Sequence, residues 1–118
     1  MRSSRLTVER EGVLTLPHEV CEAAGLQPGD ILAMKAHEEH LDLEVYRELL
    51  DGALEYMGES ILWGFVAEFM SLPLTSLEPG GQVFIPGEVF PLSKGSELSL
   101  YVEQPSGRRH FLHLFRVP

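Results

Sequence analysis

A nine-residue stretch near the start of this chain returns in register in its second half. Residues 12–20 read Gly-Val-Leu-Thr-Leu-Pro-His-Glu-Val, and residues 81–89 read Gly-Gln-Val-Phe-Ile-Pro-Gly-Glu-Val. After a gap of three residues in the second copy, residues 28–32 align with residues 94–98. A unit of about 40 residues is too small to bury a core of its own. The repeat therefore predicts two incomplete units that close a core together.

The first unit is predicted to contain four strands around one short helix. Pro17 is tolerated at a helix start, and Gly25 suits the left-handed position that ends a helix, so residues 18–24 are predicted to be helical. The Pro-Gly pair at residues 28–29 marks a turn. Alternation of apolar and polar residues predicts strands over residues 5–10 and 41–46, and the short runs at residues 13–16 and 31–36 are also predicted to be strands.

The second unit keeps the strands and loses most of the helix. Residues 98–102 and 111–115 are predicted strands, joined by the polar stretch 104–109. Pro91 limits the second helix to one turn, because proline lacks the N–H that a helix interior needs.

Residues 47–72 follow a different period. Their apolar residues recur at spacings of three and four, which predicts a helix that ends at Pro73. The chain then divides into a first unit (1–46), a helical insert (47–73) and a degenerate second unit (74–118). A helix this apolar would expose a large patch if unpartnered, so we expect a homodimer. The expected interface consists of Leu54, Met57, Ile61, Leu62, Phe65 and Phe69.

Composition narrows the function classes. The chain of 118 residues has a formal net charge of −9, and the excess of acidic residues lies before residue 77. That balance disfavours a non-specific nucleic-acid coat. The single cysteine, the absence of an apolar leader after Met1 and the lack of any long uncharged run favour a cytoplasmic protein without a membrane span.

The run from Val13 to Asp30 resembles the AbrB-type swapped-hairpin family. Members carry Gly-x-hydrophobic-Thr-Ile-Pro-x-Glu-hydrophobic, then a short helix, Gly-Leu, x-Pro-Gly-Asp and a strand. Residues 5–46 fit this pattern almost throughout, and residues 77–118 keep part of it. The resemblance implies a mainly β fold with α, in which two ββαββ units interleave their hairpins into one barrel.

The resemblance also implies DNA-binding regulation, because family members commonly act as transition-state repressors or as antitoxins. Such members usually place Lys or Arg before the first glycine and Gln or Arg after it. Here Glu11 and Val13 hold those places in the first copy, and only Gln82 fits in the second. The expected contacts to double-stranded DNA are Arg2, Arg5, Arg10, Gln82, Arg108 and Arg109.

Two other functions remain open. On the same fold, an acidic interaction module or antitoxin-like protein would bind a basic partner through helix 47–72. A barrel that binds a small molecule or a metal without a known motif is a third class. Replacing Arg108 and Arg109 would distinguish DNA-binding regulation from the interaction module, since duplex binding needs these arginines and partner binding does not.

The sequence predicts no enzyme, cofactor or metal. His37 and His40 share a spacing of three residues with His110 and His113, which on strands would point each pair to opposite faces. Cys21 lies on the predicted buried side of the short helix without a basic partner, so we expect it to pack in the core. No carboxylate pair is predicted to lie in a cleft.

Overall fold

The computed structural model describes residues 2–45, 71–104 and 110–117, and these residues form eight strands and one short helix. The elements are β1 (Arg2–Thr7), β2 (Val13–Thr15), α1 (His18–Ala23), β3 (Ile31–Ala36), β4 (His40–Val45), β5 (Leu74–Ser76), β6 (Gln82–Phe84), β7 (Glu97–Glu103) and β8 (Phe111–Arg116). The expectation of a mainly β fold with α is confirmed for the described residues, whose one helix is α1.

The predicted elements of the first unit agree with the structure except at β1. The strand expected over residues 5–10 instead runs from Arg2 to Thr7, because it pairs along its whole length with β7, from Arg2 opposite Val102 to Thr7 opposite Glu97. Arg10 makes only an isolated bridge to Val13.

The short helix ends as the sequence predicts. Gly25 has a φ of 66°, and its N–H donates to the carbonyl of Glu22, while the N–H of Leu26 donates to the carbonyl of Cys21. These two bonds form a Schellman motif, which satisfies carbonyls that the last helical turn leaves free.

All strand pairs among the described residues are antiparallel, and four of them join a strand of the first half of the chain to a strand of the second half. The larger sheet has the order β1-β7-β8-β4-β3-β5, and β2 pairs with β6 in a second sheet. Each of the first four strands therefore pairs with one of the last four: β1 with β7, β2 with β6, β3 with β5 and β4 with β8.

The core lies on the inner faces of these strands. On β4, β7 and β8 alternate residues are buried, and the residues between them face outward. The inward set on these three strands is Leu41, Leu43, Val45, Leu98, Leu100, Leu112 and Leu114. The same alternation places a row of polar side chains on the outer face.

The predicted helix and the expected dimer interface lie outside the described residues, which stop at Val45 and resume at Ser71. The interface residues concerned are Leu54, Met57, Ile61, Leu62, Phe65 and Phe69. Across the described ranges no helix has the length and apolar character needed to cross a membrane.

Candidate functional site

Five polar side chains meet on the outer face of the larger sheet, and we call them the histidine cluster: His37, His40, Asp42, Glu103 and His113. Strand register brings most of them together, because Asp42 on β4 lies opposite His113 on β8, and His113 lies opposite Tyr101 on β7. Glu103 is two residues beyond Tyr101 on the same face. His37 belongs to the turn before β4.

His113 is held by a carboxylate at each ring nitrogen. Its Nδ1 lies 2.6 Å from Oδ1 of Asp42, and its Nε2 lies 2.8 Å from Oε2 of Glu103. Burial acts to lower the pKa of His113, but the hydrogen bonds and negative charge of Asp42 and Glu103 outweigh it and raise that pKa above its ordinary value. Both ring nitrogens then donate, as they do in an imidazolium ion.

His37 and His40 lie side by side, contrary to the expectation that they point to opposite faces. Their rings stack with centroids 4.1 Å apart and planes 8° apart. The spacing argument fails for this pair because it holds for two residues of one strand, whereas His37 is in the turn and only His40 begins β4. Nε2 of His37 is 3.0 Å from Oδ2 of Asp42, and Nε2 of His40 is 3.5 Å from Oδ1.

Aromatic rings border the cluster on one side. The ring of Phe115 stacks on His40 with centroids 4.7 Å apart, and Tyr101 meets Phe115 edge-on at 5.8 Å. Together with Asp42, Glu103 and His113 these rings line an open depression of about 510 Å³.

Three members of the cluster have the donor atoms of a metal site. One donor atom each from His37, His40 and Asp42 lies within 4.8 Å of the other two. Sequence reasoning considered the His37 and His40 pair and missed its link to His113. Alternation along each strand was the available signal, because it places both Asp42 and His113 on the outward faces of their strands.

A second surface feature is an apolar patch formed by Ile31, Leu74 and Phe84, whose exposed fractions are 40%, 49% and 59%. These residues line a depression of about 550 Å³ together with Thr75, Ser76 and Glu78. Alternation along β6 could have predicted that Phe84 points outward, since Val83 and Ile85 on either side of it are buried.

Side-chain hydrogen bonds link the segments that form this patch. The hydroxyl of Thr75 donates to the carbonyl of Phe84 at 2.7 Å, which ties β5 to β6. The hydroxyl of Ser76 donates to Oε1 of Glu78 at 3.2 Å. The exposed carboxylate of Glu78 therefore lies at the border of the patch, in contact with Ser76.

The expected DNA contacts are only partly described. Arg5 is exposed, with its guanidinium 3.9 Å from the carboxylate of Glu97. Arg10 is exposed between two exposed glutamates, Glu9 and Glu11, and Gln82 is exposed on β6. The structure does not describe the side chain of Arg2, and Arg108 and Arg109 lie outside the described residues.

Arg116 is held by other parts of the chain, and acidic residues outnumber basic ones in the described ranges. Arg116 donates to the carbonyl of Pro91, and its guanidinium lies 4.0 Å from the centroid of the Phe90 ring. The described ranges contain 13 Asp or Glu and six Lys or Arg. Cys21 packs against the core while half-buried, and burial raises the pKa of its thiol.

Comparisons of the chain with protein-family models, with curated proteins and with solved structures find no match. The function is therefore inferred from the geometry and charge of the two surface features.

Proposed function

We propose that this chain is an AbrB-like swapped-hairpin barrel of two ββαββ units that acts by binding a protein partner. Its contact surface is the apolar patch of Ile31, Leu74 and Phe84. The observation that carries the proposal is the exposure of three large apolar side chains in one depression. Apolar side chains clustered on a surface in this way are typical of interaction sites.

The strand pairing supports the barrel. The exchange that relates the two units replaces β1, β2, β3 and β4 by β5, β6, β7 and β8, in that order, and the reverse. It converts the β1–β7 pair into the β5–β3 pair and the β3–β4 pair into the β7–β8 pair. The β2–β6 and β4–β8 pairs are converted into themselves. A pseudo-two-fold relation between interleaved hairpins predicts this pattern.

Backbone hydrogen bonds support the same relation. The N–H of Leu16 donates to Gly81, and the N–H of Ile85 donates to Gly12, at 2.8 and 2.7 Å. In the sequence repeat Leu16 corresponds to Ile85 and Gly12 corresponds to Gly81, so each bond is the counterpart of the other.

A second pair of bonds behaves in the same way. The N–H of Gly95 donates to Val8 and the N–H of Gly29 donates to Leu77, each at 2.7 Å. In the sequence repeat Gly29 matches Gly95, and Val8 lies four residues before Gly12 as Leu77 lies four residues before its counterpart Gly81.

Charge favours a protein over DNA as the partner. Binding a duplex requires several free cations on one face. Arg5 is beside Glu97, and Arg10 lies between two glutamates, so neither presents an unopposed positive charge. Glu78 at the patch border and the net charge of −9 suit a partner whose apolar contact residues are flanked by Lys or Arg.

The test combines two measurements. In the first, a fluorescent mixed-sequence duplex is titrated with the protein at low salt, and we expect no change in anisotropy. In the second, partners are cross-linked in the source cells to wild type, to Phe84→Ser and to Phe115→Ser. The last variant is a matched control, because Phe115 is an exposed phenylalanine outside the patch.

We expect one basic protein to be cross-linked by wild type and Phe115→Ser and lost with Phe84→Ser. The purified pair should then bind more weakly as salt rises. Equal recovery with Phe84→Ser would overturn the assignment of the patch. A second copy of this chain as the recovered partner would identify the patch as a homodimer interface.

DNA-binding regulation is the second candidate, and Gln82 is the observation that favours it. Gln82 is exposed and follows Gly81, where the family resemblance expects a DNA contact. Under this alternative the duplex binds at low salt, Gln82→Ala weakens it, and Arg108→Glu with Arg109→Glu abolishes it. Binding with that dependence would displace the protein-binding proposal.

A further inference from the structure

We propose that His37, His40 and Asp42 form a binding site for a divalent transition-metal ion of the zinc type, with His113 positioning the carboxylate of Asp42. The site lies on the outer face of β4 and β8. It does not depend on the proposed protein-binding function, because that function uses a patch lined by other residues.

The donor set fits a zinc-type ion. Two imidazoles and one carboxylate are common ligands of Zn²⁺, whereas Mg²⁺ and Ca²⁺ prefer oxygen donors alone. Three protein ligands leave a fourth tetrahedral position open to water or to another donor.

The distances also fit. Donors that each lie about 2.0–2.1 Å from a tetrahedral ion are about 3.3 Å from one another. Nε2 of His37 lies 3.0 Å from one oxygen of Asp42, and Nε2 of His40 lies 3.5 Å from the other. All three donors lie within 4.8 Å of one another, and binding one ion requires the His37 ring to rotate out of its stack on His40 so that both nitrogens and one carboxylate oxygen point to the ion.

That movement is available to His37 in particular. His37 is in an exposed turn, and 37% of its side chain is accessible. His40 is more constrained, since its ring is stacked between those of His37 and Phe115. The structure thus combines two ligands fixed on β4 with one that can adjust.

His113 supplies the support that metal ligands commonly have. Its Nδ1 donates to Oδ1 of Asp42 at 2.6 Å, and its other nitrogen donates to Glu103 at 2.8 Å. Glu103 fixes the ring of His113, and His113 fixes the carboxylate of Asp42. Such outer partners orient a ligand, and removing one typically weakens metal binding about 10–100-fold.

The charge around the site favours a cation. Glu38 and Glu39 are exposed in the turn between His37 and His40, and the chain as a whole has a net charge of −9. Lys35 is the opposing charge, because it lies across from Asp42 on β3. Lys35→Met should therefore tighten metal binding.

The test is calorimetric titration of the untagged full chain with Zn²⁺ after treatment with chelator, repeated with Co²⁺ while absorption is recorded. We expect one ion per chain and intense d–d bands from a tetrahedral cobalt site. His37→Ala should weaken binding more than about a hundredfold, which is the upper end of the loss caused by outer partners. His113→Asn should weaken it about 10–100-fold.

His18→Ala is the matched control. His18 is also exposed and also within reach of a carboxylate, 2.9 Å from Glu22, but it lies on α1 away from the cluster. Unchanged affinity in this variant, with loss in His37→Ala, supports the site. No binding by wild type, or binding that survives His37→Ala with His40→Ala, would overturn it. Because His37 is in an exposed turn, the His37→Ala variant tests the site even if Asp42 variants fail to fold.

Discussion

His113 and Asp42 lie opposite each other on β8 and β4, with Nδ1 of His113 2.6 Å from Oδ1 of Asp42. They are 71 positions apart in the chain. On the inner side of the same two strands, Leu43 lies opposite Leu112. A polar contact on the outer face and an apolar contact on the inner face thus hold the two halves of the chain in one register.

The first prediction concerns the pKa of His113. Carboxylates at both ring nitrogens stabilise the imidazolium form and outweigh the effect of burial, so in metal-free protein the pKa of this histidine should lie above its ordinary value. NMR titration of the imidazole protons in the presence of chelator measures it. Asp42→Asn should lower the midpoint of His113, and an unshifted midpoint in the wild type would contradict the prediction.

The same contact makes a prediction for stability. Because folding raises the pKa of His113, its contribution to stability is complete below the unfolded pKa of about 6.5. That contribution is lost as the pH rises through the higher folded pKa. The difference in unfolding free energy between wild type and His113→Gln should therefore be larger at about pH 5.5 than at about pH 9. Urea denaturation with chelator present measures both values, and equal differences would count against the ion pairs.

Local patterns predicted the elements better than the site. β4 and the end of α1 at Gly25 follow from alternation and from the left-handed conformation that glycine tolerates. β1 was misplaced because its bounds depend on pairing with β7, which lies far along the chain. The histidine cluster was missed for a similar reason, because it depends on contacts that local patterns do not show. Strand pairing brings His113 to Asp42, and a turn brings His37 beside His40.

Cys21 should react slowly with alkylating reagents. Burial raises the pKa of its thiol, which lowers the fraction of the reactive thiolate at neutral pH. Because this is the single cysteine of the chain, the mass gained with iodoacetamide reports on one site. We expect slower labelling than for free cysteine at about pH 8, and faster labelling once urea unfolds the protein. Labelling at the rate of free cysteine would show that the thiol is not shielded.

Leu43→Ala should destabilise the fold strongly. Leu43 is fully buried on β4 and lies opposite Leu112, at the junction between the two halves of the chain. Truncating a buried leucine leaves a cavity and typically costs about 2–5 kcal/mol. The control is Thr7→Ala on β1, an exposed position where we expect a change within about 0.5 kcal/mol. Urea denaturation followed by circular dichroism distinguishes them, and similar losses would place the core elsewhere.

Gly80 and Gly81 form a matched pair that isolates one close approach. Both have positive φ, 89° and 85°, so alanine at either position is strained by about 1–2 kcal/mol. A Cβ at Gly81 would lie 2.6 Å from the carbonyl oxygen of Leu16, whereas at Gly80 it would meet nothing within 4 Å.

Gly81→Ala should therefore lower the unfolding free energy by at least about 1 kcal/mol more than Gly80→Ala, because backbone must move to admit the methyl group. The movement would also disturb the bond from the N–H of Leu16 to the carbonyl of Gly81, which is 2.8 Å long. Urea denaturation of both variants measures the difference, and amide exchange at Leu16 locates it. Equal destabilisation would mean that the two units are not in close contact at this glycine.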